Sequence, residues 1–115
     1  MPEAKSPQAP VPGQLVIEKT QEADAIVLAL SGELDLASAP VLERELREAE
    51  ASGLSRLVID LGGLAFMDST GLQALLRARE RANTEGHQLL LRRAPHQVQR
   101  VFELTKTVDA FTFAD

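Results

Sequence analysis

Residues 57–83 read LVIDLGGLAFMDSTGLQALLRARERAN, and this stretch decides the fold. Leu57, Val58 and Ile59 form a short apolar run ending at Asp60, the pattern of a buried strand. Asp68-Ser69-Thr70 then precedes a helix predicted from about Thr70 to Asn83, in which Leu72, Leu75, Leu76 and Arg79 share one face. Gly86 ends it. The next apolar run, Leu89-Leu90-Leu91, reads as another buried strand. A strand, an amphipathic helix and a second strand make a crossover unit, which places parallel strands in one sheet with a right-handed connection.

The flanks extend the same alternation. Leu15, Ile17 and Lys19 alternate with Val16, Glu18 and Thr20, a half-buried strand. Gln21 to Asp24 make a polar turn, and Ala25 to Leu30 reads as a strand covered on both faces, pairing with the first as a hairpin. Ser38 begins a helix with Pro40 in its first turn; Leu42, Leu46 and Ala49 form its inner stripe, and Gly53 stops it. A third helix starts near Pro95, with Val98, Val101, Phe102 and Thr105 in register, and Phe111 to Phe113 is placed as an edge strand. The expected architecture is an α/β layered domain: a mixed, mostly parallel sheet of four to five strands with amphipathic crossover helices. Residues 1–13 carry Pro2, Pro7, Pro10 and Pro12 with almost no large apolar side chain and are expected to be a flexible tail, leaving 14–115 as the domain.

Composition narrows function. The 115 residues hold 12 Lys and Arg against 17 Asp and Glu, a formal net charge of −5, which disfavours nucleic acid as a partner. No cysteine is present, so disulfides and thiolate metal sites are excluded. The longest aliphatic run, Ala25 to Leu30, is too short for a bilayer, and no basic start leads an apolar stretch near Met1. A cytoplasmic protein without a membrane partner is the expectation.

Chemistry in such sheets collects in the loops that leave the carboxyl ends of parallel strands. Three exits stand out: Gly32-Glu33-Leu34-Asp35, Asp60-Leu61-Gly62-Gly63, and Met67-Asp68-Ser69-Thr70-Gly71. The third is the sharpest, because it puts Asp68 or Ser69 at a helix N-cap. Either residue there caps free backbone N–H groups, worth about 1 kcal/mol. A phosphate on Ser69 is also tolerated at a helix N-terminus, where donors and partial positive charge gather. The two roles are compatible.

At this point three blocks resemble a known family. Leu30-Ser31-Gly32-Glu33-Leu34-Asp35, Leu57-Val58-Ile59-Asp60-Leu61 and Phe66-Met67-Asp68-Ser69-Thr70-Gly71-Leu72 are similar, in order and spacing, to the signature blocks of STAS domains. These are the sulphate-transporter and anti-sigma-factor-antagonist modules, and the resemblance covers roughly residues 14 to 115. Stand-alone members of this length are typically bacterial anti-sigma factor antagonists. The resemblance implies a partner-switching cycle without catalysis by this chain and without a cofactor. The unmodified antagonist binds an anti-sigma factor that is itself a serine kinase, and the sigma factor is released. The kinase then phosphorylates the loop serine, and a separate serine phosphatase restores it. By the motif match the acceptor is Ser69, with Asp68 beside it and Asp35 and Gly71 in the recognition surface. Thr70, where the family often has a second serine, is the alternative acceptor. Lys106 stands where a small residue often follows the third helix. The exposed positions Gln73, Arg77 and Glu80 of the helix after Ser69 adjoin the switch and extend the expected partner surface.

The switch has a physical basis of its own. Phosphoserine adds roughly −1.5 to −2 charge at neutral pH. A like-charge pair about 4 Å apart costs on the order of 4 kcal/mol at an effective dielectric of ~20, and ~1 kcal/mol in bulk water. Since about 1.4 kcal/mol is tenfold in affinity, one phosphate can reverse binding without refolding.

Rival readings are weaker. A Ser69 nucleophile lacks the first glycine of the G-x-S-x-G elbow, and the two histidines, His87 and His96, are read as surface residues. Asp35, Asp60 and Asp68 at strand ends form a metal pocket only if they converge; the simpler account is that they bond turn amides. Gly62-Gly63 lacks any phosphate-loop pattern and is read as a turn before Leu64. Arg92-Arg93 and the run Glu43 to Glu50 are read as solvated faces, with Glu43 and Arg47 paired at i,i+4. A scaffold subunit of a signalling or lipid-transport complex, without a phosphorylation switch, is the alternative function.

Overall fold

The hairpin, the strand–helix alternation and the mixed sheet all form. The computed structural model describes residues 14–114, so the expected tail at 1–13 lies outside the described residues. In chain order come β1 (Leu15–Glu22), β2 (Ala25–Leu34), α1 (Ala39–Ala51), β3 (Arg56–Met67), α2 (Ser69–Glu85), β4 (Gln88–Arg92) and α3 (His96–Leu104), with a 3₁₀ turn at Val108–Ala110. The four strands lie in the order β1-β2-β3-β4. β1 pairs antiparallel with β2, and the other pairs are parallel. Phe111 to Phe113 adds no full strand: Phe113 makes a single bridge to Leu91, and both rings pack edge-on against Phe102 instead.

One face of the sheet carries the helices. Ile26, Leu28 and Leu30 of β2, Leu57, Ile59 and Leu61 of β3, and Leu91 of β4 share one apolar cluster with Leu42, Leu46, Leu72, Leu75, Val98 and Phe102. The alternate residues point the other way, as a period of two requires. There Ala25, Val27 and Val58 form a small second cluster with Leu90 against it. β1 and β4 are the sheet's edges, so the ion pair from Arg92 to Glu22 (3.4 Å) has to pass over β2 and β3 on that side. Arg92 also reaches Asp60 at 3.2 Å, and Arg93 reaches it at 3.3 Å. The arginine pair is therefore not a plain solvated face.

A longer β3 corrects the sequence reading. Gly62-Gly63 is not a turn; the strand runs through it to Met67, with register shifts against β2 between Ala29 and Ser31 and between Gly32 and Glu33. A Cβ on Gly63 would sit 2.8 Å from the Leu30 carbonyl oxygen and 2.9 Å from the Ser31 Cβ, so the glycine is there to let two backbones close. β4 stops at the Asp60–Arg92 pair, whereas β2 and β3 continue to Leu34 and Met67. These two strands form a tongue beyond β4. Its free edge is met by the start of α3, where the Gln97 amide donates to the Ala65 carbonyl at 3.5 Å.

α1 and α2 are tied by charge. Arg77 of α2 donates from Nε (2.9 Å) and Nη2 (2.7 Å) to Glu43 of α1, and Arg81 donates to Glu50 at 2.8 Å. Arg81 also lies 3.5 Å from Glu43. Glu43 thus serves an interhelical pair rather than the expected bond to Arg47, and Glu50 keeps only 6% of its side chain exposed. Among the described residues no helix is long and apolar enough to cross a membrane.

Candidate functional site

Asp68 is the N-cap of α2, in extended backbone, and Ser69 is the first helical residue. The Asp68 carboxylate accepts from the Thr70 N–H (2.9 Å) and the Gly71 N–H (3.1 Å), while the Asp68 N–H donates to the Leu34 carbonyl at 3.1 Å. The first turn is pinned to β2 and capped from within. Ser69 is exposed, and its hydroxyl has no hydrogen-bond partner among the described residues. Thr70 is half-buried. The donors that the sequence reading offered to a phosphate are therefore already shared with Asp68.

Gly71 explains how the helix sits so close. A Cβ there would meet Leu34 Cγ at 2.6 Å and the Leu34 carbonyl oxygen at 3.0 Å. Gly71 is buried, so it packs the first turn of α2 against β2 and is not an exposed contact for a partner. That corrects its expected place in the recognition surface.

Asp35 follows Leu34, which pairs with Met67, so the two loops leave adjacent strands side by side. Asp35 Oδ1 accepts from the Ser38 N–H at 3.0 Å, and the Asp35 N–H donates to the Ser38 hydroxyl at 2.9 Å. The Ser38 hydroxyl donates to the Glu33 carbonyl at 2.8 Å and is itself buried. Asp35 is brought near Asp68, as expected, but its bonds serve the loop itself, holding the β2–α1 connection in shape.

Asp60 is not brought in. It lies seven residues before Met67 on β3, roughly 20 Å away by strand rise, and is 8% exposed. Its Oδ1 accepts from the Gly62 N–H at 2.9 Å and its Oδ2 faces Arg92 and Arg93. The three-aspartate pocket does not assemble, because β3 does not end at Asp60. Among the described residues no group of three His, Asp or Glu side chains is placed to hold a metal ion. Gln73 and Arg77 are exposed on α2, although Arg77 is committed to Glu43. His96 is exposed at the start of α3, and His87 is half-buried before β4, at the opposite end of the strands from Ser69.

The structure adds two residues that sequence reasoning missed. Leu36 is 74% exposed in the β2–α1 loop, and Phe66 is 46% exposed at the end of β3. Both flank the Ser69 loop. Periodicity gives no signal for them, because an isolated apolar residue reads the same whether it faces the core or water. By contrast, a hollow of about 620 Å³ lined by Lys19, Asp24, Ser52 and Ser55 lies at the other end of the sheet. Around Ser69 the exposed Leu36 and Phe66 stand near an exposed hydroxyl, a composition that suits a protein partner.

A family model for the STAS domain matches residues 15–115. The chain belongs to the STAS domain family. A Bordetella bronchiseptica protein named as an anti-sigma factor antagonist is 34% identical over 91 residues, covering 78% of each chain. An anti-sigma factor antagonist from Mycobacterium paratuberculosis has a crystal structure that superposes with a TM-score of 0.76 at 27% identity, covering 86% of this chain and 84% of the other. The unphosphorylated form of the anti-sigma factor antagonist SpoIIAA shares the fold, with a TM-score of 0.73 at 19% identity over 87% of this chain and 89% of that one. The Bacillus protein has also been solved in its phosphorylated form. The expected STAS fold is thereby established for this chain.

Proposed function

We propose that this chain is an anti-sigma factor antagonist whose docking is switched by phosphorylation of Ser69. One observation carries the proposal: the Ser69 hydroxyl is exposed and unengaged on a rigid helix start, beside a carboxylate that already takes the first-turn amides. A kinase can reach the hydroxyl without unfolding anything. The phosphate then adds its charge next to Asp68, and no described Lys or Arg is paired to that loop. Local negative potential rises by the full charge of the group, and a partner seated over Ser69 meets repulsion of ~1 to ~4 kcal/mol per close like-charge pair. Thr70 is the lesser acceptor because it is half-buried. The partners are an anti-sigma factor with serine kinase activity and a serine phosphatase, and this chain acts by binding rather than catalysis.

The test is to incubate the protein with anti-sigma factor serine kinases and ATP, then locate phosphate by mass spectrometry. Modification is expected at Ser69 and lost in Ser69→Ala. Ser69→Asp is expected to weaken kinase binding at least tenfold. An unchanged affinity, or phosphate placed elsewhere, defeats the proposal.

A further inference from the structure

We propose that Glu18 and Lys19 guard the free edge of β1 against a second copy of this chain, whose own β1 would otherwise add there and join two sheets into one. The guard is independent of the Ser69 switch and involves no kinase.

The two edges of the sheet are finished differently. Beyond β4 the chain itself takes the outward groups: the Leu91 N–H donates to the Thr112 carbonyl at 2.9 Å, and the Ala114 N–H donates to the Leu91 carbonyl at 2.7 Å. Among the described residues β1 pairs with β2 alone. It is extended over Leu15–Glu22 with no Gly or Pro to interrupt it. An unpaired edge of that kind is a template for another strand. A two-fold axis perpendicular to the sheet sets such a strand antiparallel to its own copy and keeps both helix layers on one side, so a second copy is the occupant that the geometry fits.

Side chains decide whether that pairing forms. Leu15 and Ile17 pack against the core cluster on the helix side. Lys19 has the same parity and stands opposite the fully buried Leu28, so a lysine holds the place of a third apolar residue. It is exposed and lines the hollow beside Ile26 and Leu54. Glu18 is exposed on the opposite face. Neither makes an ion pair among the described residues.

Residues that face each other across the axis lie on the same face, so each register is centred on one residue. The middle of Leu15–Glu22 falls between Glu18 and Lys19, and these two centres give the longest registers. Centred on Glu18, residues 15–21 pair with the same segment of the copy, and Glu18 stands against Glu18. Centred on Lys19, residues 16–22 pair, and Lys19 stands against Lys19. Like charges directly opposite one another destabilise a sheet. A centre at Thr20 shortens the pairing to residues 18–22 and sets Glu18 against Glu22 on both sides of the axis. A centre at Ile17 avoids like charges, but it pairs only residues 15–19 of the strand and faces Glu18 with Val16 and Lys19 with Leu15. Either charge alone leaves one long register open; together they close both.

The experiment is sedimentation velocity of the full chain at about 10 and about 500 µM, with circular dichroism to show that each variant is folded. Wild type is expected to stay monomeric throughout. Glu18→Thr and Lys19→Val each free one long register and are expected to dimerise weakly. The double variant frees both and is expected to dimerise about tenfold more tightly than either. Lys19→Glu keeps a like pair at both centres and is expected to remain monomeric. A charge swap separates strand pairing from general adhesion. Glu18→Lys alone sets lysine against lysine and is expected to stay monomeric, whereas its equimolar mixture with wild type sets lysine against Glu18 and is expected to form a heterodimer. The inference is overturned if wild type dimerises as tightly as the double variant, or if the double variant stays monomeric at the higher concentration. It is equally overturned if the double variant associates while the charge-swap mixture does not, because its apolar side chains are then merely adhesive.

Discussion

Two neighbouring strand-to-helix exits use the same two residue types to opposite ends. After β2, Asp35 and Ser38 bond each other through backbone and side chain, and the serine is buried. After β3, the Asp68 side chain caps α2, and Ser69 is exposed with no partner for its hydroxyl among the described residues. In each loop the aspartate satisfies amides at the helix start. What differs is the serine's offset. Three residues after the aspartate, a side chain folds back under the turn and reaches the Glu33 carbonyl. One residue after it, the side chain leaves the first turn toward solvent. The exposed hydroxyl on which the proposed switch rests is thus made by spacing, and the sibling loop is its internal control.

The comparison can be broken most sharply by exchanging serines for alanine. Ser69→Ala should abolish incorporated phosphate while leaving the urea midpoint unchanged, and Ser38→Ala should do the reverse. Phosphate retained in Ser69→Ala would mean that the exposed hydroxyl is not the acceptor. Gly71→Ala comes next. With Leu34 Cγ 2.6 Å from the new Cβ, overpacking should cost about 1–3 kcal/mol and displace the α2 start, slowing phosphorylation as well; a neutral melt would show that α2 can slide freely. Ser38→Ala should then cost about 1–2 kcal/mol in the same melts, because the Asp35 N–H loses its hydroxyl acceptor. Smallest is Asp68→Ala, which removes a cap worth about 1 kcal/mol and returns the Thr70 and Gly71 amides to the loop. Those freed donors can bind the phosphate, so phosphorylated Asp68→Ala should lose less kinase affinity than phosphorylated wild type, measured as a ratio of Kd values.

Much of this was legible in the sequence, and the failures share a cause. The element order followed from period and punctuation: alternation in 15–20, the helical stripes at 42–49 and 72–79, and glycines 53 and 86 after them. The Asp68 cap followed from its place before a helix, while the switch role of Ser69 came from the family resemblance. Gly62-Gly63 misled because a pair of glycines ordinarily signals a turn, whereas here Gly63 clears the Leu30 carbonyl and the Ser31 side chain inside a continuing strand. That misreading put Asp60 at a strand end, whereas the favoured account of the three aspartates, that they bond backbone amides, is what Asp35, Asp60 and Asp68 do. Glu43 was assigned to Arg47 because only local spacing can be read along a chain, and the stronger partners, Arg77 and Arg81, arrive from a different helix.

Sequence by itself determined the local chemistry: which segments form strands and helices, which carboxylate caps α2, and which hydroxyl stands beside it. Those outcomes depend on side chains within about four positions of one another, where periodicity and capping operate. Tertiary structure decided what is exposed and what is paired: that Gly71 packs against Leu34, that Asp35 bonds within its own loop, that Leu36 and Phe66 are exposed, and that Arg92 and Arg93 meet at Asp60. The strands that set those facts are far apart in the chain, and only their register in the sheet brings them together.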